Sequence, residues 1–230
     1  MKTIGIIGGL TWLSTLEYYK LLNEMVQERL GGVASAKILM YSVNFEEIKT
    51  LTLADNWEGI TIFISDAAKR LEQAGADCLL LGANTMHKVA DDVQKEIAIP
   101  LVHIAEATAL TISTQGLKKV ALLGTRYTME LPFYKEKLRE KGIETIIPIA
   151  KDVAFINNAI YEEMSRNLFL RETKERFLQI IEKLVQQGAA GVVMGCTEIP
   201  ILLKDETAAI PMFDTTFIHA KAAVDFALSS

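Results

Sequence analysis

Short apolar runs ending in glycine alternate along this chain with longer stretches in which apolar residues recur every three to four positions. The runs predict buried strands and the stretches predict amphipathic helices. Thr3 to Ile7 is the first run and ends in Gly8-Gly9. The hydroxyls between Thr11 and Glu17 then offer N-caps for a helix through Leu30, closed by Gly31-Gly32. Further strands are expected at 37–43, in the run Cys78-Leu-Leu-Leu81, at 99–104, 118–125, 145–148, 191–194 and 210–215. Helices are expected at 60–73, 86–96, 106–115, 132–141, 154–167, 172–187 and 216–228, and Asn44 is positioned to cap the segment after it. Pro100 falls at the start of its strand, where a missing N–H is tolerated.

The pattern runs through twice. Gly75-Ala-Asp-Cys-Leu-Leu-Leu-Gly-Ala-Asn84 returns as Gly188-Ala-Ala-Gly-Val-Val-Met-Gly-Cys-Thr197, with Gly75 to Gly188, Gly82 to Gly195 and Ala83 to Cys196 all 113 residues apart. Lys118-Lys-Val-Ala-Leu-Leu-Gly-Thr125 mirrors Lys2-Thr-Ile-Gly-Ile-Ile-Gly-Gly9, and Ile210-Pro repeats Ile99-Pro. Three landmarks in one order predict an α/β protein of two pseudo-symmetric parallel-sheet half-domains facing one cleft. The expected division is residues 1–115, completed by 208–230, against 116–207.

Composition narrows the class. The 230 residues are 50% hydrophobic, enough for well-buried cores. A net charge of −5, without a lysine or arginine run, argues against a nucleic-acid or anionic membrane partner. The first apolar run is too short for a signal peptide, and none approaches the ~20 residues that cross a bilayer. Two cysteines make no disulfide framework, so a cytoplasmic setting is expected.

Cys196 ends a buried strand, the place where open α/β sheets bind ligands. Two thiols at two such turns could remove and return a proton on opposite faces of one carbon, inverting it without a cofactor. Backbone N–H groups at the turn would lower a thiol pKa and hold a carboxylate. Ala83 stands at the other turn and transfers no proton. Asn84, Thr85, Thr125, Thr128 and Thr197 are small polar groups at strand ends, suited to the carboxylate and ammonium of an amino acid. Cys78 lies inside an apolar strand and reads as core. His87 is a candidate stand-in acid or a cap of the next helix; His103 and His219 could reach the cleft, and none of the three has metal-ligand spacing. Gly5-Ile-Ile-Gly-Gly9 lacks the spacing of a dinucleotide fingerprint. Trp12, Tyr18 and Tyr19 suit helix packing or a subunit contact. Arg126 and Arg166 are either cations for a second substrate carboxylate or solvated surface groups.

Gly8-Gly-Leu-Thr-Trp-Leu-Ser-Thr15 with Tyr18-Tyr19, Asn84-Thr-Met-His-Lys88, Gly124-Thr-Arg-Tyr-Thr-Met129 and Gly195-Cys-Thr-Glu198 together resemble the aspartate/glutamate racemase family over essentially the whole chain. The resemblance implies a cofactor-independent racemase of an acidic amino acid, often dimeric. Its two catalytic positions fall on Ala83 and Cys196, and Leu10 and Glu198 join the residues implied to bind substrate. Glu198 stands where glutamate racemases carry His, which favours an aspartate-type or broad acidic substrate. Ala83 departs from the pattern and leaves two other readings open. One is a single-thiol decarboxylase of malonate-like acids, as in the arylmalonate decarboxylases; the other is a relative that only binds an amino acid.

Overall fold

The computed structural model describes residues 1–204 and 210–229. It is an α/β structure of two parallel sheets with surrounding helices, divided into two compact units, residues 1–103 with 219–230 and residues 104–218.

The first unit holds β1 (Ile4–Gly8), α1 (Trp12–Leu30), β2 (Ile38–Ser42), α2 (Phe45–Leu53), α3 (Trp57–Gln73), β3 (Cys78–Leu81), a 3-10 turn (Thr85–Val89) and α4 (Ala90–Lys95). Its sheet order is β2-β1-β3, all parallel, with Ile4 opposite Cys78 and Ile7 opposite Leu81. Alternation along the strands sorts the side chains into two cores. Ile4, Ile6, Cys78 and Leu80 pack with Tyr18, Leu22 and Val26 of α1. Ile7, Leu79 and Leu81 pack with Ile60, Ile64 and Leu71 of α3. Cys78 is fully buried, as its apolar run predicts, and burial pushes its thiol up to about 12.

The second unit holds α5 (Ile104–Thr114), β4 (Lys119–Gly124), α6 (Arg126–Glu130), α7 (Pro132–Glu140), β5 (Glu144–Ile146), α8 (Ala150–Asn158), α9 (Arg171–Gln186), β6 (Val192–Gly195), α10 (Glu198–Leu202) and β7 (Met212–Asp214). The order is β5-β4-β6-β7, again parallel. Ala121, Leu123, Val192 and Met194 face Val153 and Ile156 of α8 and Phe177 and Ile180 of α9. Val120, Leu122, Val193 and Phe213 face Ile104, Ala109 and Ile112 of α5 and Tyr134 and Leu138 of α7. The last helix, α11 (Thr215–Leu228), begins in this unit; its Ala220, Ala223 and Val224 belong to the first unit's α1 core.

Several sequence expectations change. The division falls at 103/104 rather than 115/116, because α5 packs against α7 in the second core. Residues 210–218 go with the second unit rather than completing the first, because Met212 to Asp214 pair with Val192 to Met194. Positions 208, 209 and 230 of the expected completing segment lie outside the described residues. Residues 99–104 make only an isolated bridge between Leu79 and Leu101. Leu79 N donates to Pro100 O and Val102 N donates to Leu79 O, both at 2.9 Å, while the Gln94 amide covers the groups facing away from β3, donating to Ile99 O at 3.0 Å and accepting from Leu101 N at 2.7 Å. The single helix expected over 154–167 is instead the end of α8, a π-helical turn (Ala159–Glu163) and a 3-10 turn (Met164–Arg166). No helix among the described residues is long and apolar enough to cross a membrane.

Candidate active site

In the second unit, β4 and β6 end side by side with Gly124 opposite Gly195. A Cβ on Gly124 would lie 2.7 Å from Gly195 O, and one on Gly195 would lie 2.7 Å from Leu123 O, so this close approach needs glycine on both strands. Thr125 caps α6, its hydroxyl accepting the Thr128 N–H at 3.3 Å, and the two threonine hydroxyls lie 3.2 Å apart. Both threonines are buried.

Cys196 follows Gly195 and is half-buried. Its Sγ donates to Glu198 Oε2 at 2.9 Å, and the Thr197 hydroxyl donates to the same oxygen at 3.0 Å. Glu198 is only 3% exposed, so this carboxylate sits inside the site and not on its rim. The thiol pKa is well above the ordinary cysteine value. Burial is the largest cause, followed by the charge of Glu198 and its hydrogen bond to the thiol; the backbone N–H groups of Glu198 and Thr197 pull the other way and lose. The residue keeps partial solvent access, but desolvation of the sulfur itself decides its ionisation. The sequence expectation that the turn lowers this pKa is therefore overturned. A five-residue α10 supplies two N–H groups, and a buried acid two residues away outweighs them. Chemically, Cys196 is a protonated thiol beside a carboxylate able to take its proton.

In the first unit, Gly9 has φ +77, and a Cβ there would meet Val43 O at 2.1 Å. Its N–H donates to the Thr15 hydroxyl at 2.7 Å, which fixes the turn after β1. Leu10 is buried in the α3 core with Val43 and Ile48. Ala83 follows β3 and packs partly buried on that same core, and Asn84 and Thr85 are buried beside it.

His87 donates from Nδ1 to the Ala83 carbonyl at 2.9 Å, which leaves Nε2 as an acceptor; that atom is buried and has no hydrogen-bond partner among the described residues. The ring lies 4.8 Å from His103 and 5.2 Å from His219, centroid to centroid. His219 Nε2 donates to Val102 O at 2.6 Å, so Nδ1 accepts the Tyr18 hydroxyl at 2.7 Å. All three histidines of the chain thus form one buried cluster. Burial, then the neighbouring His103, lowers the His87 pKa; burial, then His87, lowers that of His219. His219 is wholly buried and His103 is 8% exposed, so they line a core and not an open face. Among the described residues, no group of three His, Cys, Asp or Glu side chains is arranged to hold a metal ion.

Other candidates separate. Arg126 and Arg166 are exposed and each pairs with an acid one helical turn away, Glu130 at 3.9 Å and Glu162 at 2.7 Å. Tyr18 is core, while Trp12, Leu16 and Tyr19 form an exposed face of α1. Tyr161, on the π-helical turn, was not among the sequence candidates. Burial, then the charges of Cys196, Tyr127 and Glu198, pushes its phenol above the usual tyrosine range.

The family model for Asp/Glu/hydantoin racemases matches residues 7–223. A Yersinia pestis crystal structure with the provisional name Asp/Glu racemase is 46% identical, covers all of both chains and superimposes with a TM-score of 0.93. An aspartate racemase homologue from Pyrococcus horikoshii OT3 is 39% identical over the full length of both chains, with a TM-score of 0.87. The broad specificity amino-acid racemase RacX of Bacillus subtilis is 27% identical over 161 residues, 70% of this chain and 69% of that one. The chain belongs to the Asp/Glu/hydantoin racemase family.

Proposed function

We propose that this protein is a cofactor-independent racemase of an acidic amino acid, aspartate or glutamate, in which Cys196 exchanges the Cα proton on one face. The observation that carries the reading is the Cys196–Glu198 pair at the end of β6, 2.9 Å from sulfur to oxygen. For removal, the thiol proton passes to Glu198 and the resulting thiolate takes the Cα proton, ending again as a thiol. For return, the thiol gives its proton to Cα, and the proton held on Glu198 restores the thiol. Each removal leaves one extra proton on the pair and each return takes one from it, so an inversion is closed by a carrier on the opposite face that gives or takes the matching proton. Thr125, Thr128 and Thr197 are the hydroxyls at the same strand ends suited to the substrate's carboxylate and ammonium. Relatives named as a broad specificity amino-acid racemase and as an aspartate racemase homologue support this class. The exposed face of α1, with Trp12, Leu16 and Tyr19, is where a second copy would pack if the protein is dimeric like the family.

A methyl at position 83 moves no proton, so the opposite face needs another carrier. The candidates that the first unit's turn offers are a water, Thr85 or His87, whose Nδ1–H is committed to Ala83 O and whose Nε2 can accept a proton. Ala83 also favours a second reading, decarboxylation of a malonate-like acid with protonation by Cys196 alone.

The test is proton NMR of L-aspartate and L-glutamate with the protein in D2O, with chiral analysis of the same samples. Loss of the Cα signal with appearance of the D-form is expected, and Cys196→Ala should abolish both. Exchange that survives Cys196→Ala would sink the assignment; carbon dioxide release from a disubstituted malonate without amino-acid exchange would favour the second reading.

A further inference from the structure

The π-helical turn Ala159–Glu163 breaks the regular helical path of the second unit. It follows α8 directly and passes into the 3-10 turn Met164–Arg166, after which Asn167 adopts a left-handed conformation at φ 62. A π turn inserts an extra residue into a helix and is commonly found at functional sites. Here Ile156, Ala159, Ile160 and Met164 all stay buried in the core against which Cys196 packs. Tyr161 falls between these buried positions and is only half-buried.

Its surroundings are set by two short helices. α6, which carries Tyr127 and Thr128 after the end of β4, packs against α8. α10, which opens with Glu198 after the end of β6, packs against the 3-10 turn. The π turn joins those two contacts, so Tyr161 belongs to the same group of strand ends as Cys196. Burial first, and then the charges of Cys196, Tyr127 and Glu198, keep its phenol protonated, in agreement with that placement. Among the described residues the hydroxyl has no hydrogen-bond partner. A protonated donor beside a thiol and a carboxylate, bonded to neither, is suited to an acceptor carried by a ligand.

We propose that the Tyr161 hydroxyl donates a hydrogen bond to the α-carboxylate of the amino acid while Cys196 acts on the adjacent Cα. The assignment rests on the racemase reading and adds a substrate-binding residue to it. Removing the Cα proton moves negative charge onto the carboxylate oxygens, so a fixed O–H donor there is worth more in the transition state than in the bound substrate. Burial, and then the neighbouring Cys196, Tyr127 and Glu198, hold the phenol in its protonated, donor form.

Tyr161→Phe deletes only the hydroxyl and keeps the ring. Racemisation of L- and D-aspartate should lose about 10- to 100-fold in kcat/KM, carried mainly by kcat, with an unchanged melting temperature. A kcat/KM within about twofold of the parent protein, in a parent that racemises aspartate, would overturn the assignment and leave the racemase reading intact. If the parent binds L-aspartate in calorimetry but exchanges no Cα proton, the racemase reading fails and Tyr161 is judged on binding alone. About tenfold weaker binding in Tyr161→Phe then supports the carboxylate contact, and equal binding overturns it. A parent that neither exchanges nor binds L-aspartate or L-glutamate overturns both.

Discussion

At the end of β6 a thiol and a buried carboxylate share a hydrogen bond; at the end of β3, the matching place in the repeat, a methyl group belongs to a residue whose carbonyl accepts from the buried His87. The backbones agree. Each turn follows a parallel strand, places a glycine before the variable residue and runs into a short helix. The side chains behind them have opposite electrostatics. Around Cys196, burial and then Glu198 favour the protonated thiol. Around Ala83, burial and then neighbouring imidazoles favour unprotonated histidines. The two turns therefore share a backbone, while the variable position carries a thiol in the second and a methyl group in the first.

The sharpest way to break this comparison is to neutralise the acid. Glu198→Gln keeps the side-chain length and removes the charge that holds the thiol pKa up, leaving burial as the main cause. The thiolate absorbance of the variant should therefore appear at lower pH than in the parent. Exchange of the Cα proton should nonetheless fall about 100- to 1000-fold, because the group that accepts the thiol proton is gone. A variant with unchanged activity would mean that Glu198 only shapes the turn.

Next in size is the repair of the first turn. Ala83→Cys adds a thiol at the end of β3, where burial holds the adjoining His87 neutral. If the opposite face is served by water or a threonine, racemisation should rise about 10- to 100-fold while Cys196→Ala remains inactive in the same background. An unchanged rate would show that the native carrier already works as well as a thiol.

The scaffold was readable in the sequence because it depends on apolar runs and glycines. Gly82 and Gly195 marked both turns, and the run Cys78 to Leu81 forms a fully buried strand. The two Ile-Pro segments show the limit of such reading. Met212 to Asp214 pair with β6 and become β7, whereas Pro100 O and Val102 N make a single bridge to Leu79 and the Gln94 side chain covers the outward-facing Ile99 O and Leu101 N. The π turn left no mark, since Val153, Ile156, Ile160 and Met164 keep a spacing that any helix would show. Nor could residue types alone reveal that Cys196 and Thr197 both donate to one oxygen of Glu198, because that depends on side-chain rotamers. His87 and His103 meet within the first unit, and His219 joins them through the packing of α11, far along the sequence.

That cluster supplies the smallest and most regional prediction. All three histidines lie in the first unit and none in the second, so mild acid should act on the two units unequally. His87 and His219 have depressed pKa values when folded, through burial first and then each other's or His103's proximity. The unfolded chain, with histidines near 6.5, therefore binds protons that the folded unit refuses. Stability from this source is flat above about pH 6.5 and declines below it, by up to about 1.4 kcal/mol per pH unit for each such histidine. Amide hydrogen exchange at pH 7.5 and at pH 5.5, corrected for the intrinsic rates, should show protection lost first in β1, β3 and α11. The second unit's β4 and β6 should hold. Tyr18→Phe sharpens the contrast, because it strips the donor from His219 Nδ1 and leaves a buried acceptor bare, at a cost of about 1–3 kcal/mol confined to the first unit. Equal loss of protection in both units would show that they unfold together and that the histidines set the acid limit of the whole chain.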